Sequence, residues 1–296
     1  MSFYPSIMET LTWESIKKTV VVAAFAVNEI LKRGALKGGN ALDLVYKITS
    51  RASDDVDISI DGDFDRITEL TVSEQLRFNL DRLFKQKGRI VLDYKFNKRP
   101  AKALRAMPGF WGGYKAEFKL TRVPVIPSEK KELDRVRKQA EVIGPYNKRI
   151  FGIDLSLCEY LEGKERTQLE GHTIFVYTLE MLLTEKLRAI CQSQPQYTLA
   201  TRRERAQDYY DIYLINGEGP IDLNTPENLA LIRKVFAQKN VPLRLIGEIP
   251  KNHDYHKVGF PRIVTTVEGI EADKDFDFYS KYLDGLVDHL KPLWDE

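Results

Sequence analysis

Cysteine is scarce in this 296-residue chain, with Cys158 and Cys191 the only two. Two thiols make neither a disulfide framework nor a Cys-built zinc site, and free thiols suit the cytoplasm. Histidine is scarce as well, with four residues, and the spacing of His253 and His256 is poor evidence for a metal. Long apolar runs are missing. The longest, Val20 to Val27, is eight residues, against the roughly 20 of a membrane span. It also lacks the placement and cleavage pattern of a secretion signal. Charge of one sign is not in excess: 45 Lys plus Arg face 43 Asp plus Glu, a net +2. That excludes a histone-like polycation but says nothing of local patches. Walker-type, Gly-x-Gly-x-x-Gly, Gly-x-Ser-x-Gly and His-Glu-x-x-His patterns are absent, as are internal repeats. The expectation is a soluble, cytoplasmic, globular protein with no membrane partner. Its length suits one large domain or two modest ones.

Hydropathy patterning divides the chain. A long helix is expected over 12–33, stopped by Gly34, then a short strand at 35–37 and helical spacing from Ala41 to Ile48. Val56 to Ile60 alternates as a strand, and Leu76, Leu80, Leu83 and Phe84 recur at helical spacing before Gly88. Strands are expected over 89–96, 114–120, 149–157 and 173–177, with a charged helix capped by Ser128 that ends near Gly144. From Leu179 onward helices dominate, over 179–192, 201–215, 226–238 and 276–290. The reading is a strand-bearing domain, 1–177, packed closely on a helical domain, 178–296.

The chemistry concentrates in two neighbouring stretches. In Asp55-Val56-Asp57-Ile58-Ser59, period-two alternation puts Asp55, Asp57 and Ser59 on one face and the apolar residues on the other. Two carboxylates about 7 Å apart along a strand suit one or two Mg²⁺ ions that also bind phosphate oxygens. Upstream, Gly38-Gly39 precedes a helix, where small residues and free N–H groups accept a phosphate. Alone, an Asp-x-Asp is ordinarily a solvated strand edge and a Gly-Gly a turn; together and in this order they point to a polyphosphate and metal site. A third acid is open between Asp154, opposite core-facing Ile153 and Leu155, and Glu117, flanked by two lysines.

On the helical part, Lys186 falls within the apolar face marked by Leu182, Leu183 and Leu187, so it snorkels, pairs with an acid or meets a phosphate. Arg202, Arg205, Asp208 and Asp211 step by three, which by itself reads as an exposed, self-paired helix face.

The stretches Gly38-Gly39-Asn40-Ala41-Leu42 and Arg51-Ala52-Ser53-Asp54-Asp55-Val56-Asp57 together resemble the signature of the AbiEii/AbiGii toxin-type nucleotidyltransferases, within the polymerase-beta-like superfamily. Glu185-Lys186-Leu187-Arg188-Ala189 and Arg205-Ala206-Gln207-Asp208-Tyr209-Tyr210-Asp211 are similar to two later motifs of that family, with Gln207 replacing a basic residue common there. The similarity spans about Leu36 to Leu214. The resemblance implies an α/β (α+β) fold, a nucleotidyltransferase-type mixed sheet with flanking helices followed by a helical C-terminal domain, the site lying in the groove between. It implies an enzyme moving a nucleoside monophosphate from an NTP to an acceptor, a tRNA 3′ end by analogy. Asp55 and Asp57 would hold Mg²⁺, Gly38, Gly39, Asn40, Arg51 and Ser53 would contact nucleotide, and Lys186, Asp208 and Asp211 would serve the reaction; Asp154 as a third metal ligand rests on its strand position and not on the resemblance. It also implies the toxin of a bacterial toxin–antitoxin or phage-abortive-infection pair, with a cognate antitoxin. Other readings are transfer to a protein or small molecule, and a non-catalytic nucleotide- or RNA-binding module.

The neutral sum conceals opposed segments. Asp54 to Asp65 holds six aspartates and no basic residue. Lys95 to Ala116 holds six basic residues (Lys95, Lys98, Arg99, Lys102, Arg105, Lys115) and no acid, interleaved with Phe96, Phe110, Trp111 and Tyr114. That content suits RNA through phosphate pairing and base stacking; the plainer reading is a loop whose aromatics pack locally. The alternative to local packing makes the 109–114 loop a mobile cover over the site.

Overall fold

Most of the apolar run at 20–27 is explained by burial: Val20 to Phe25 are the inner turns of a core helix, and Ala26 is exposed. The computed structural model describes residues 11–49, 55–100, 109–122, 126–142, 147–199, 202–219, 221–267 and 274–294. Thr12 caps the first helix, α1 (Trp13–Phe25), by accepting the Ser15 N–H at 3.1 Å. The chain then breaks and restarts as α2 (Asn28–Arg33), so the single helix expected over 12–33 is two. Val27 is extended at the break (φ −85°, ψ 119°), which turns Val27 and Ile30 into the core.

β1 (Gly34–Leu36) leads into α3 (Gly38–Ala41), which widens into a π-turn over Leu42–Tyr46. β2 (Asp55–Ile60), α4 (Arg66–Gln86), β3 (Ile90–Arg99), β4 (Gly113–Thr121), α5 (Lys130–Lys138), β5 (Phe151–Ser156), β6 (Glu165–Leu169) and β7 (His172–Val176) follow. The rest is helical: α6 (Leu179–Gln192), α7 (Ala206–Gly217), α8 (Pro226–Gln238), α9 (His253–Lys257), α10 (Phe260–Thr266), α11 (Phe276–Asp288) and α12 (Lys291–Trp294). No helix among the described residues is long and apolar enough to cross a membrane.

Among the described residues seven strands form one mixed sheet in the order β3-β4-β5-β2-β1-β7-β6. β2 runs parallel to β5 and antiparallel to β1, and β4 runs antiparallel to β5. Val56, Ile58, Tyr114, Ala116, Phe118, Ile153 and Leu155 are buried at alternate positions of these strands, the period-two pattern of a half-buried sheet. α1 and α4 pack together and cover the sheet. The fold class is thus an α+β mixed sheet with flanking helices and a helical C-terminal region.

Three boundaries differ from the sequence reading, each for a local reason. α5 starts after Glu129, not Ser128, and stops at Lys138. Arg202 and Arg205 lie before α7, where their guanidinium groups bond the carbonyl and hydroxyl of Ser193 at 2.9 and 3.1 Å. β6 is a polar edge strand with no apolar alternation to reveal it; its clue is the Glu170-Gly171 turn into β7, with φ +49° and +76°.

A buried carboxylate ties the sheet to the helical region. Glu159, just beyond β5, is 5% exposed. Its Oε1 lies 3.4 Å from Lys37 Nζ, at the end of β1, and 3.3 Å from Lys239 Nζ, at the end of α8. Its Oε2 lies 3.7 Å from Arg188 of α6. Lys239 also donates to the carbonyls of Phe110 (3.0 Å) and Leu157 (2.8 Å), so Phe110 of the 109–114 loop is anchored. Burial by itself would raise the Glu159 pKa; Lys37, Arg188 and Lys239 outweigh it and pull it down to about 2. A carboxyl whose folded pKa lies below its unfolded value stabilises fully above the unfolded value. That contribution fades as pH falls from about 4.5 toward 2. Glu159→Gln leaves three cations without their shared counter-charge and is expected to cost about 3–5 kcal/mol. Urea unfolding at pH 7 measures it, and a loss under about 1 kcal/mol would show that the ions do not depend on Glu159.

Candidate functional site

The site is built on the sheet face opposite α1 and α4. β2, β5 and β4 lie side by side, and their register places Asp57 beside Asp154, Asp55 beside Gly152, and Lys115 beside Asp154. Asp154, rather than Glu117, is therefore the acid beside Asp57; Glu117 lies opposite Gly152 and 4.0 Å from Lys115. Ser59, third on the same β2 face, is fully buried and accepts the Tyr177 hydroxyl at 2.8 Å.

The glycine turn meets this strand directly. Lys37 N–H donates to the Asp57 carbonyl at 3.0 Å, and Gly38 follows at φ +65°. A Cβ on Gly38 would stand 3.2 Å from Asp57 Oδ2, so both the dihedral and the close approach call for glycine. Asn40 is fully buried, and its Nδ2 donates to the Asp55 carbonyl at 2.6 Å. Its side chain therefore pins α3 to β2. Arg51 and Ser53 lie outside the described residues.

The acids differ in their surroundings. Asp55 receives Lys115 on Oδ2 and Lys148 on Oδ1, both at 2.9 Å, and these outweigh burial to lower its pKa. Asp154 has Lys115 at 3.6 Å and Arg99 at 3.5 Å, yet burial and the nearby Asp55 charge raise its pKa. Asp57 has no ion-pair partner within 4 Å among the described residues. Burial, helped by Asp154 and Asp55 and opposed by Lys37 and Lys186, pushes it up to about 6. Among the described residues no group of three His, Cys, Asp or Glu side chains is arranged to hold a metal. The three-carboxylate set Asp55, Asp57, Asp154 is thus not preassembled, because the Asp55 carboxylate is turned to two lysines.

From the helical region, α6 brings Lys186 within electrostatic reach of Asp57. Its ammonium, 8% exposed, lies 2.6 Å from Asp211 Oδ2 and 3.3 Å from Asp208 Oδ1 of α7. The exposed, self-paired stripe expected for this helix is absent: Asp211 is completely buried and Asp208 is 15% exposed. Neither the snorkelling rim nor the solvated face describes these residues; they form one buried triad.

Two other expectations resolve as structural. His253 bonds Asp284 at 2.9 Å and Tyr209 at 3.2 Å. His256 is fully buried, accepts the Arg205 N–H at 3.1 Å and is pushed down to about 4 by burial, so the pair does not form a metal site. Phe96 stacks on buried Tyr114 at 5.1 Å, and Trp111 lies under the Lys239 ammonium. The aromatics pack locally. Lys98 pairs with Asp63 at 2.7 Å and Arg99 with Asp154, while Lys102 and Arg105 lie outside the described residues. Glu159, Lys37, Lys148 and Lys239 were missed by sequence reasoning, which has no signal for charges that meet only across distant elements.

Comparison with known proteins bears on this geometry. Residues 22–281 match the family profile described as nucleotidyl transferase AbiEii toxin, type IV toxin–antitoxin system. Among solved structures, a nucleotidyltransferase candidate from H. pylori is 14% identical, with TM-score 0.49, covering 95% of each chain. JHP933 from Helicobacter pylori is 14% identical, with TM-score 0.47, covering 95% of this chain and 92% of that one. An antigenic nucleotidyltransferase-like protein from Paracoccidioides brasiliensis is 14% identical, with TM-score 0.34, covering 75% and 89%. No curated protein matches the chain.

The raised Asp57 pKa has a stability consequence in the absence of divalent ions. An acid whose folded pKa lies above its unfolded value binds more protons when folded, so stability falls as pH rises through the window between them. That window runs from about 4 to about 6. Asp57→Asn removes the cost and is expected to stabilise the metal-free protein at pH 7 by about 2–3 kcal/mol, with little change at pH 4. Thermal melts in chelator at both pH values measure this, and equal shifts at the two would contradict it.

Proposed function

Since the chain belongs to the AbiEii nucleotidyl transferase toxin family of type IV toxin–antitoxin systems, we propose that this site moves a nucleoside monophosphate from an NTP to an acceptor hydroxyl with Mg²⁺. The observation that carries the reading is the meeting of three separated segments: Gly38 against the Asp57 carboxylate, Asp154 beside Asp57, and Lys186 within electrostatic reach of Asp57. The donors fit a divalent ion. Asp57 is a carboxylate without an ion-pair partner among the described residues, crowded by acids that raise its pKa. Asp57 would hold the ion beside Asp154, with Asp55 joining only as it gives up a lysine, and Mg²⁺ when bound would neutralise triphosphate charge and leave the phosphorus open to attack.

The chain's own residues do the rest. The backbone at Gly38 and Gly39 approaches the phosphates where a side chain would block them. Arg51 and Ser53, placed by the family signature, would add contacts to the nucleotide. Lys186 neutralises phosphate charge, and Asp211, completely buried against it, aims the ammonium. Asp208, partly open, holds Lys186 from the other side and is placed to take a proton from the acceptor.

For the acceptor we propose RNA, in the form of a tRNA 3′ end. Support comes from the family analogy and from the exposed bases Lys95, Lys98 and Arg99 at the end of β3 that leads toward Asp154. The aromatic residues beside them give no such support, because Phe96 and Tyr114 stack on each other and Trp111 lies under Lys239. The family implies an antitoxin partner; the cytoplasm as the place of action and phage defence as the setting belong to the same proposal.

With labelled NTPs, Mg²⁺ and total RNA, label is expected on RNA. Label on protein or small acceptors would replace the acceptor assignment, and nucleotide binding without any transfer would replace the enzyme reading with a binding module. Asp57→Ala is expected to lower transfer at least about 10³-fold, and Lys186→Ala about 10²-fold with a raised KM for NTP. Undiminished transfer by Asp57→Ala would refute its place at the metal.

A further inference from the structure

Lys115 occupies an unusual place for a lysine. It stands on β4 directly opposite Asp154, and its ammonium lies 2.9 Å from Asp55 Oδ2, 3.6 Å from Asp154 Oδ2 and 4.0 Å from Glu117 Oε1. Its side chain is only 14% exposed. Lys148 covers the other Asp55 oxygen at 2.9 Å. Sheet register rather than a long flexible reach puts the charge there, since Lys115 and Asp154 are cross-strand neighbours and Asp55 lies on the next strand but one.

The backbone is shaped for the contact. Gly152 lies between, paired with Asp55 on one side and Glu117 on the other. A Cβ at 152 would overlap the Asp55 carboxylate and stand 2.9 Å from Lys115 Cε. The Asp55–Lys115 pair thus lies flat over a residue without a side chain, and a Cβ at 152 would push the pair from this position.

Taking the metal-dependent reading above as its basis, we propose that Lys115 is the resident cation of the acid cluster, standing where a second metal ion would bind, so that the site takes a single divalent ion at Asp57. Paired metal ions in phosphoryl-transfer sites sit about 3.5–4 Å apart and share carboxylates. In this cluster Asp55 and Asp154, the carboxylates available for sharing, already share an ammonium. A second divalent ion within about 4 Å of that ammonium would meet like-charge repulsion and would have to displace two lysines from Asp55. Asp57, against Gly38, is the end of the cluster left to a metal. Lys115 supplies fixed positive charge with no exchange with solvent, and Lys148 seconds it.

Counting Mn²⁺ bound to the nucleotide-free full chain, by the spin-resonance signal of the ion left free, tests this. One Mn²⁺ per wild-type chain is expected, lost in Asp57→Asn. Lys115→Met, which keeps the stem and removes the charge, is expected to bind a second Mn²⁺ or to bind the first at least about tenfold more tightly. Lys115→Arg, which keeps the charge, is expected to bind one. Two ions on the wild type overturn the proposal whether or not Lys115→Met folds. So does a folded Lys115→Met with wild-type stoichiometry and affinity. If neither wild type nor Lys115→Met binds Mn²⁺, the metal reading itself fails, and the role given to Lys115 falls with it.

Discussion

A carboxylate removed from water must be met by positive charge, and Glu159 is met by three cations from three different elements. That demand fixes more than local geometry. Lys37 precedes the glycine turn, and its backbone N–H is bonded to Asp57, so holding Lys37 holds the turn against the acid strand. Arg188 is two residues beyond Lys186 on α6, so holding Arg188 sets which way that helix presents its lysine. Lys239 closes α8 and grips the carbonyls before β4 and after β5. One buried charge thereby couples the phosphate turn, the acid strand and the lysine helix, which are far apart in the sequence.

Above this knot the sheet face is an electrostatic mosaic. Cross-strand register alternates acid and base: Asp55 and Asp154 are matched by Lys115, Lys148 and Arg99, while Asp57 is left crowded by other acids. The difference between Asp55, whose pKa falls, and Asp57, whose pKa rises, arises from neighbours and not from the residues themselves. Two aspartates two positions apart on one strand face thus have opposite characters.

Much of the candidate site was legible in the chain. Asp55 and Asp57 share a face because strands alternate, Asp154 falls opposite its apolar neighbours for the same reason, and Gly38 takes the positive φ that only glycine adopts cheaply. Lys186 was visible as a charge within an apolar helix face. Where the reading failed, the cause was long-range. Asp211 looked like a surface charge, but α7 is packed between α6 and α11. Phe96 and Tyr114 could be read as a platform for bases or as rings that pack locally, and contact across β3 and β4 decided for local packing.

The sequence by itself determined the kinds of element and the local faces they present, because periodicity, capping and glycine conformation act within a few residues. It also carried the family signature over 38–57 and 185–211. Only the tertiary structure decided which charges meet. The Asp57–Asp154 neighbour relation, the Lys186–Asp211 pair, the four-member knot at Glu159 and the lysine at the acid cluster depend on strand order and helix packing. Coulomb interactions depend on distance in space and on burial, and a linear sequence records neither.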